Sequence, residues 1–269
     1  MLPTDAPLEM RSPEAAYTTF YALFALSTAL TVGWLALRAR RERTWQPLAA
    51  MLGGLAVGAV VPPVYNALTK VWFPSNIPVP FVEAFGMQDP LFDVLGYAVF
   101  IGFGGYVLLT QLRAGHGARA VYLTFLWWGV ADLLLEIPFL EWGMYQYYGD
   151  QPFEIAGFPL HWVFLNGLVP VLAGGLMYAV TDRWPGSKRG ETWRVAACPA
   201  LAGALLMIPI FPVATALHAD VPGALREVAA LVAIATAGAA LAACARLADR
   251  EAQLRRLDRA AGERAPALT

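Results

Sequence analysis

Apolar residues fall in seven long blocks, at about 17–37, 48–68, 90–112, 120–140, 158–180, 195–217 and 221–245, with short polar stretches between them. Runs of about 20 apolar residues are long enough to cross a bilayer as helices. The pattern predicts an all-α, polytopic protein. A seven-transmembrane-helix bundle over 17–245 follows an extracytoplasmic segment at 1–16 and precedes a basic cytoplasmic tail at 246–269. The first block is not a cleavable leader, because acidic residues precede it and a basic cluster follows it. The tail, RLADREAQLRRLDRAAGER, can extend the last helix.

Two loops are longer than the rest, at about 69–89 and 141–157. The first holds Pro74, Pro78 and Pro80 among aromatic residues and is expected at the interface or folded back over the bundle. Small residues such as Gly54 and Gly58, or the alanines of the seventh block, allow helices to approach closely.

Composition agrees with the pattern: 58% of the 269 residues are hydrophobic and 14% charged, against about a quarter charged in soluble domains. Charge adds orientation. Sixteen of the lysines and arginines fall after blocks one, three, five and seven, and only Arg11, Lys70 and Arg226 fall on the other side. Cytoplasmic loops accumulate such residues, so the N-terminus is expected outside and the C-terminus in the cytoplasm of a cell membrane. The net charge of −1 hides this polarity. Topology accounts for the arginines, so nucleic acid is not an expected partner; membrane lipids and a lipophilic small molecule are.

Four ionisable residues lie in the outer halves of the blocks: Asp93, Asp132, Glu136 and His161. Such groups are costly in a membrane and mark a cavity or a partner. Asp132 and Glu136 are four apart and share a helix face, with Trp128 one turn further in. Asp89, Asp93 and Tyr97 have the same spacing. Pro138 removes a donor just beyond Glu136. Burial disfavours a carboxylate's charge, so a deep carboxyl can give a proton while one nearer water accepts one. Glu136 is the expected acid, and Asp93 or Asp132 its partner. Trp128, Tyr97, Glu141, Trp142, Tyr145, His161, Trp162 and Asn166 are the expected substrate-binding residues. Aromatic faces attract cations by roughly 0.5–2 kcal/mol, which suits a carbocation, although tryptophan and tyrosine also belt membrane interfaces.

Other chemistries find less support. Three histidines and two cysteines, Cys198 and Cys244, show no metal-ligand spacing, so no metal or other cofactor is expected. No block carries a lysine for a retinal Schiff base. Asp89-x-x-x-Asp93 and Asp132-x-x-x-Glu136 resemble the acidic pairs that hold magnesium diphosphate in membrane prenyltransferases. On that side only Lys70 and Arg226 are there to meet a phosphate.

With its seven blocks and isolated acids, the chain resembles the small integral-membrane isoprenoid cyclases of meroterpenoid and indole-diterpenoid pathways. The stretch EIPFLEWGMYQYYGDQPF is also similar to acidic and aromatic motifs of membrane carotenoid cyclases and hydratases. The resemblance implies a seven-helix enzyme that protonates an epoxide or alkene with a carboxyl group, and it carries Glu136 over as that acid. Two alternatives remain at this stage. A proton-coupled transporter or channel would use the same carboxylates, but the inner halves of the third to fifth blocks offer no polar path. A non-catalytic module that binds a lipid or a partner would keep the acids as a hydrogen-bonded cluster.

Overall fold

The computed structural model describes residues 6–264, with side chains to 257. Residues 1–5 and 265–269 of the expected flanking segments lie outside the described residues. Among the described residues nine α-helices follow in order: α1 (Glu14–Glu42), α2 (Gln46–Val60), α3 (Pro62–Thr69), α4 (Leu91–Tyr97), α5 (Gly104–Arg113), α6 (Gly117–Glu141), α7 (His161–Tyr178), α8 (Lys188–His218) and α9 (Gly223–Arg264). A π-helical segment, Ala98–Phe103, joins α4 to α5 in one span, and another, Ala179–Arg183, prolongs α7. Among the described residues six helices are long and apolar enough to cross a membrane, or seven if α2 and α3 count as one span.

That pair is where the predicted second helix departs from a straight rod. Pro62 and Pro63 have no N–H to give to Gly58 and Ala59, and the axis bends by 46°. The seventh block runs further than its apolar residues: α9 continues without a break past residue 245 to Arg264.

The expectation of helices alone holds for the bundle but not for the long loops, which contain short antiparallel strands. These are β1 (Val71–Trp72), β2 (Pro80–Ala84), β3 (Met87–Pro90), β4 (Gln146–Tyr147), β5 (Glu154–Ile155) and β6 (Phe158–Pro159). β2 and β3 form a hairpin, β5 and β6 pair locally, and β1 pairs with β4. The last pairing sets Val71 opposite Tyr147 and Trp72 opposite Gln146, and it ties the two long loops into one layer over the bundle end. Asp89 belongs to β3, so the expected helical stripe of Asp89, Asp93 and Tyr97 begins one element earlier, in a strand.

Close helix contacts set the frame. A Cβ on Gly54 would lie 2.8 Å from the backbone nitrogen of Gly102, and one on Gly58 2.8 Å from the carbonyl oxygen of Val94. Glycine there lets α2 rest directly on the backbone of the third span. Gly129 of α6 and Gly167 of α7 do the same: a Cβ on either would lie 2.7 Å from a carbonyl oxygen of the other helix. This approach brings together Asp132, one turn after Gly129, and Asn166, next to Gly167.

Candidate functional site

A cavity of about 150 Å³ lies beneath the strand layer, enclosed mainly by α4, α6, α7 and the loops above them. Asp93 and Tyr97 reach it from α4, Asp132 and Glu136 from α6, Trp162 and Asn166 from α7, and Tyr145 and Tyr147 from the loop after α6. Phe24, Phe73, Phe92 and Phe139 supply much of the remaining wall, and Ile101, Val169 and Leu206 line it from deeper in the bundle. Among the described residues no lysine, arginine or histidine lines it.

The carboxyls are held by neutral donors. The Asn166 amide donates to Asp132 Oδ2 at 2.9 Å and, more weakly, to Glu136 Oε1 at 3.4 Å. The Tyr147 hydroxyl donates to Glu136 Oε2 at 2.9 Å, and Tyr145 also hydrogen-bonds Glu136. Burial first, and then the nearby Glu136 charge, holds both phenols well above their ordinary range, so they act as donors. Asp132 and Glu136 lie one turn apart on α6 and share the Asn166 amide; a hydrogen bond between two such carboxyls needs one of them protonated. Asp93 faces the same cavity.

Behind Asp93, the Asn66 amide of α3 donates to Asp89 Oδ1 at 2.7 Å. Asp89 is 1% exposed. Burial pushes it up to about 6, against the opposing effect of the Asn66 hydrogen bond.

The structure thus brings together seven residues that the sequence places in a pocket: Glu136, Asp93, Asp132, Tyr97, Tyr145, Trp162 and Asn166. It does not bring the other four into the lining. Glu141 and Trp142 are exposed, and the Trp142 ring packs on Phe20 of α1 instead. The chain leaves α6 there through Gly143, at φ +68, and turns back, so these two side chains point away while Tyr145 and Tyr147 point in. Trp128 packs on Phe100 and lies over Gly104, one helical turn beyond the cavity. His161 is buried beside Trp162, and its Nδ1 has no partner among the described residues.

Sequence reading missed Tyr147 as a binding residue, together with Tyr65 and Asn66 from the second block. Asn66 had a legible sign: a lone amide near the end of an apolar block invites the same question as an acid there. Cys198 and Cys244 are free. No group of three His, Cys, Asp or Glu among the described residues is arranged to hold a metal ion.

Comparison with family models, with curated proteins and with solved structures finds no match.

Proposed function

We propose that the chain is a seven-helix integral-membrane enzyme of the cell membrane, N-terminus outside and C-terminus in the cytoplasm. It acts on a lipophilic, isoprenoid-type substrate by carboxyl-mediated proton transfer, as the resemblance to small membrane isoprenoid cyclases implies. One observation carries the reading: Asp93, Asp132 and Glu136 converge on a single ring-walled cavity that, among the described residues, has no cation in its lining.

The steps balance without an added reactant. The proton between Asp132 and Glu136 passes through Glu136 to an alkene carbon or an epoxide oxygen, leaving a cation on the substrate. A neighbouring double bond closes on that cation, or a hydrogen shift relocates it. Asp132, the ionised member of the pair, then takes a proton from the adjacent carbon and shares it again with Glu136. Separate acid and base groups serve both ends of the reaction. The rings stabilise the cation at roughly 0.5–2 kcal/mol for each face that meets it. The Tyr145 and Tyr147 hydroxyls stabilise the Glu136 carboxylate once its proton has left.

Size supports the same reading. A cavity of about 150 Å³ is comparable to one that takes a benzene ring, which suits the reacting end of an isoprenoid. Transport is less favoured because the deeper lining, Ile101, Val169 and Leu206, is apolar.

The test gives membranes carrying the wild type or Glu136→Gln a panel of prenylated substrates with and without a terminal epoxide. Extracts are resolved by chromatography with mass detection. A product of unchanged mass and new retention, lost in the variant, is the expected result; a product heavier by one water marks a hydratase instead. Identical traces across the panel from folded protein overturn the proposal.

A further inference from the structure

The cavity holds one end of an isoprenoid, so the rest of the molecule must lie elsewhere. A second concavity, about 430 Å³, opens between α5 and α6 further along the same pair of spans. Val107 and Gln111 of α5 line it with Leu123, Thr124 and Trp127 of α6. At its far end stand His116 and Arg119, both exposed. The His116 Nδ1 meets Gln111 Oε1 at 2.6 Å, and Arg119 makes no ion pair among the described residues.

The two concavities lie along the same two spans. On one side Gly96 and Phe100 border the cavity, and Val107 and Gln111 follow at helical spacing in the groove. On α6, Leu135 borders the cavity, with Trp128 and Thr124 in line in the groove. Phe100 of the cavity packs against Trp128 of the groove, their rings 4.9 Å apart, with the Trp128 indole lying over Gly104. A Cβ on Gly104 would come within 2.7 Å of that indole.

We propose that groove and cavity form one furrow for a long amphiphile, with Arg119, beside His116, binding an oxyanion head while the chain passes Trp128 and its terminus reaches Glu136. This rests on the reading of the cavity as the reacting site and adds the substrate's class: an isoprenoid with an acidic head at one end and the reacting alkene or epoxide at the other. The stretch of α6 from Arg119 to Glu136 spans ~25 Å at 1.5 Å per residue, which sets the length of the molecule. Arginine suits the head because its guanidinium pairs with carboxylate or phosphate through two parallel hydrogen bonds. The lining elsewhere in the groove is largely apolar, as a hydrocarbon chain requires.

The test uses the full chain in nanodiscs and a C20 isoprenoid carboxylic acid that carries a diazirine at the end remote from the carboxylate. After irradiation, peptide mass spectrometry locates the label. Labelling is expected around the cavity, at Tyr97 and Leu135. It should fall tenfold or more for the methyl ester of the probe and in Arg119→Glu, an exposed site whose change spares the core. In Gly104→Ala, which crowds the Trp128 indole, it should retreat towards Val107 and Gln111. Undiminished cavity labelling by the ester or in Arg119→Glu overturns the proposal. So does labelling confined to Leu123 and Trp127 and competed by phosphatidylglycerol, which would make the groove a bilayer-lipid site. Glu136→Gln should keep the label even though it removes turnover, so the furrow and the enzyme reading fail separately.

Discussion

Two acidic clusters sit at opposite ends of the bundle, and their neighbours differ in kind. Near the basic end, Asp182 accepts from Arg113 at 2.8 Å, from Arg255 at 2.9 Å and from Thr181 at 2.7 Å. Arg113 also reaches Gln46 of α2, which in turn donates to Glu191 of α8, while the Arg255 guanidinium lies 5.0 Å over the Tyr178 ring. Arg113 and Arg255 join two other helices to Asp182, each meeting its opposite charge there, and Gln46 joins α2 to α8. Under the strand layer, Asp132 and Glu136 meet an amide and phenols, Asp93 faces the same cavity, and among the described residues no cation lines it. A cation fixes a carboxylate in its charged form, whereas neutral donors aim the group and leave its proton free to move. The first arrangement holds helices together; the second keeps protons available.

The comparison breaks most sharply under a crossed pair of substitutions. Glu136→Gln should cost ~10²–10⁴-fold in turnover with little change in the thermal midpoint of the solubilised protein. Asp182→Asn should do the reverse, retaining turnover but losing about 2 kcal/mol of stability, between the values for exposed and buried ion pairs. If both variants lost activity to the same degree at unchanged stability, the two clusters would not differ in kind.

A smaller effect separates aiming from reacting. Asn166→Ala removes the amide shared by Asp132 and Glu136, and the hydrogen bond it forfeits is worth about 1–2 kcal/mol. The expected result is roughly a tenfold fall in kcat with KM nearly unchanged, read from initial rates on the substrate identified by the panel. A KM effect alone would place Asn166 against the substrate instead.

The smallest effect is a slope. Asp89 titrates near 6 in the folded protein and at about 3.9 in an unfolded chain. Between those values the folded form holds a proton that the unfolded form has lost. Stability therefore falls as pH rises through that window and levels off above it. Thermal midpoints from pH 4 to 7 should show the decline in the wild type and a flatter line in Asp89→Asn.

Much of this was legible in the sequence because the bilayer permits so few solutions. Long apolar blocks mark spans, and acids within them mark a cavity; Asp132 and Glu136 needed only their four-residue spacing to be placed on one face. What failed to show was whatever depends on a turn or on partners far apart in the chain. Glu141, Trp142, Tyr145 and Tyr147 are alike in composition, and the sequence does not reveal that the chain reverses at Gly143. Asp182 lies just past the fifth block, and the sequence does not reveal that Arg113 and Arg255, on two other helices, clasp it. Nor does hydropathy alone announce the π-helical turn at Ala98–Phe103, which sets Phe100 between cavity and groove.

The pairing of β1 with β4 has a consequence for biogenesis. Its strands are separated in the chain by two complete spans, Leu91–Arg113 and α6, and they meet only if both loops emerge on the same side. Chains leave the ribosome N-terminus first, so β1 waits through two membrane crossings for its partner. Tyr147, which hydrogen-bonds Glu136, arrives with that partner. A chain that misinserts either span leaves β4 across the bilayer from β1, and its acids never acquire their phenols. The strand pair can therefore form only when both intervening spans are in place.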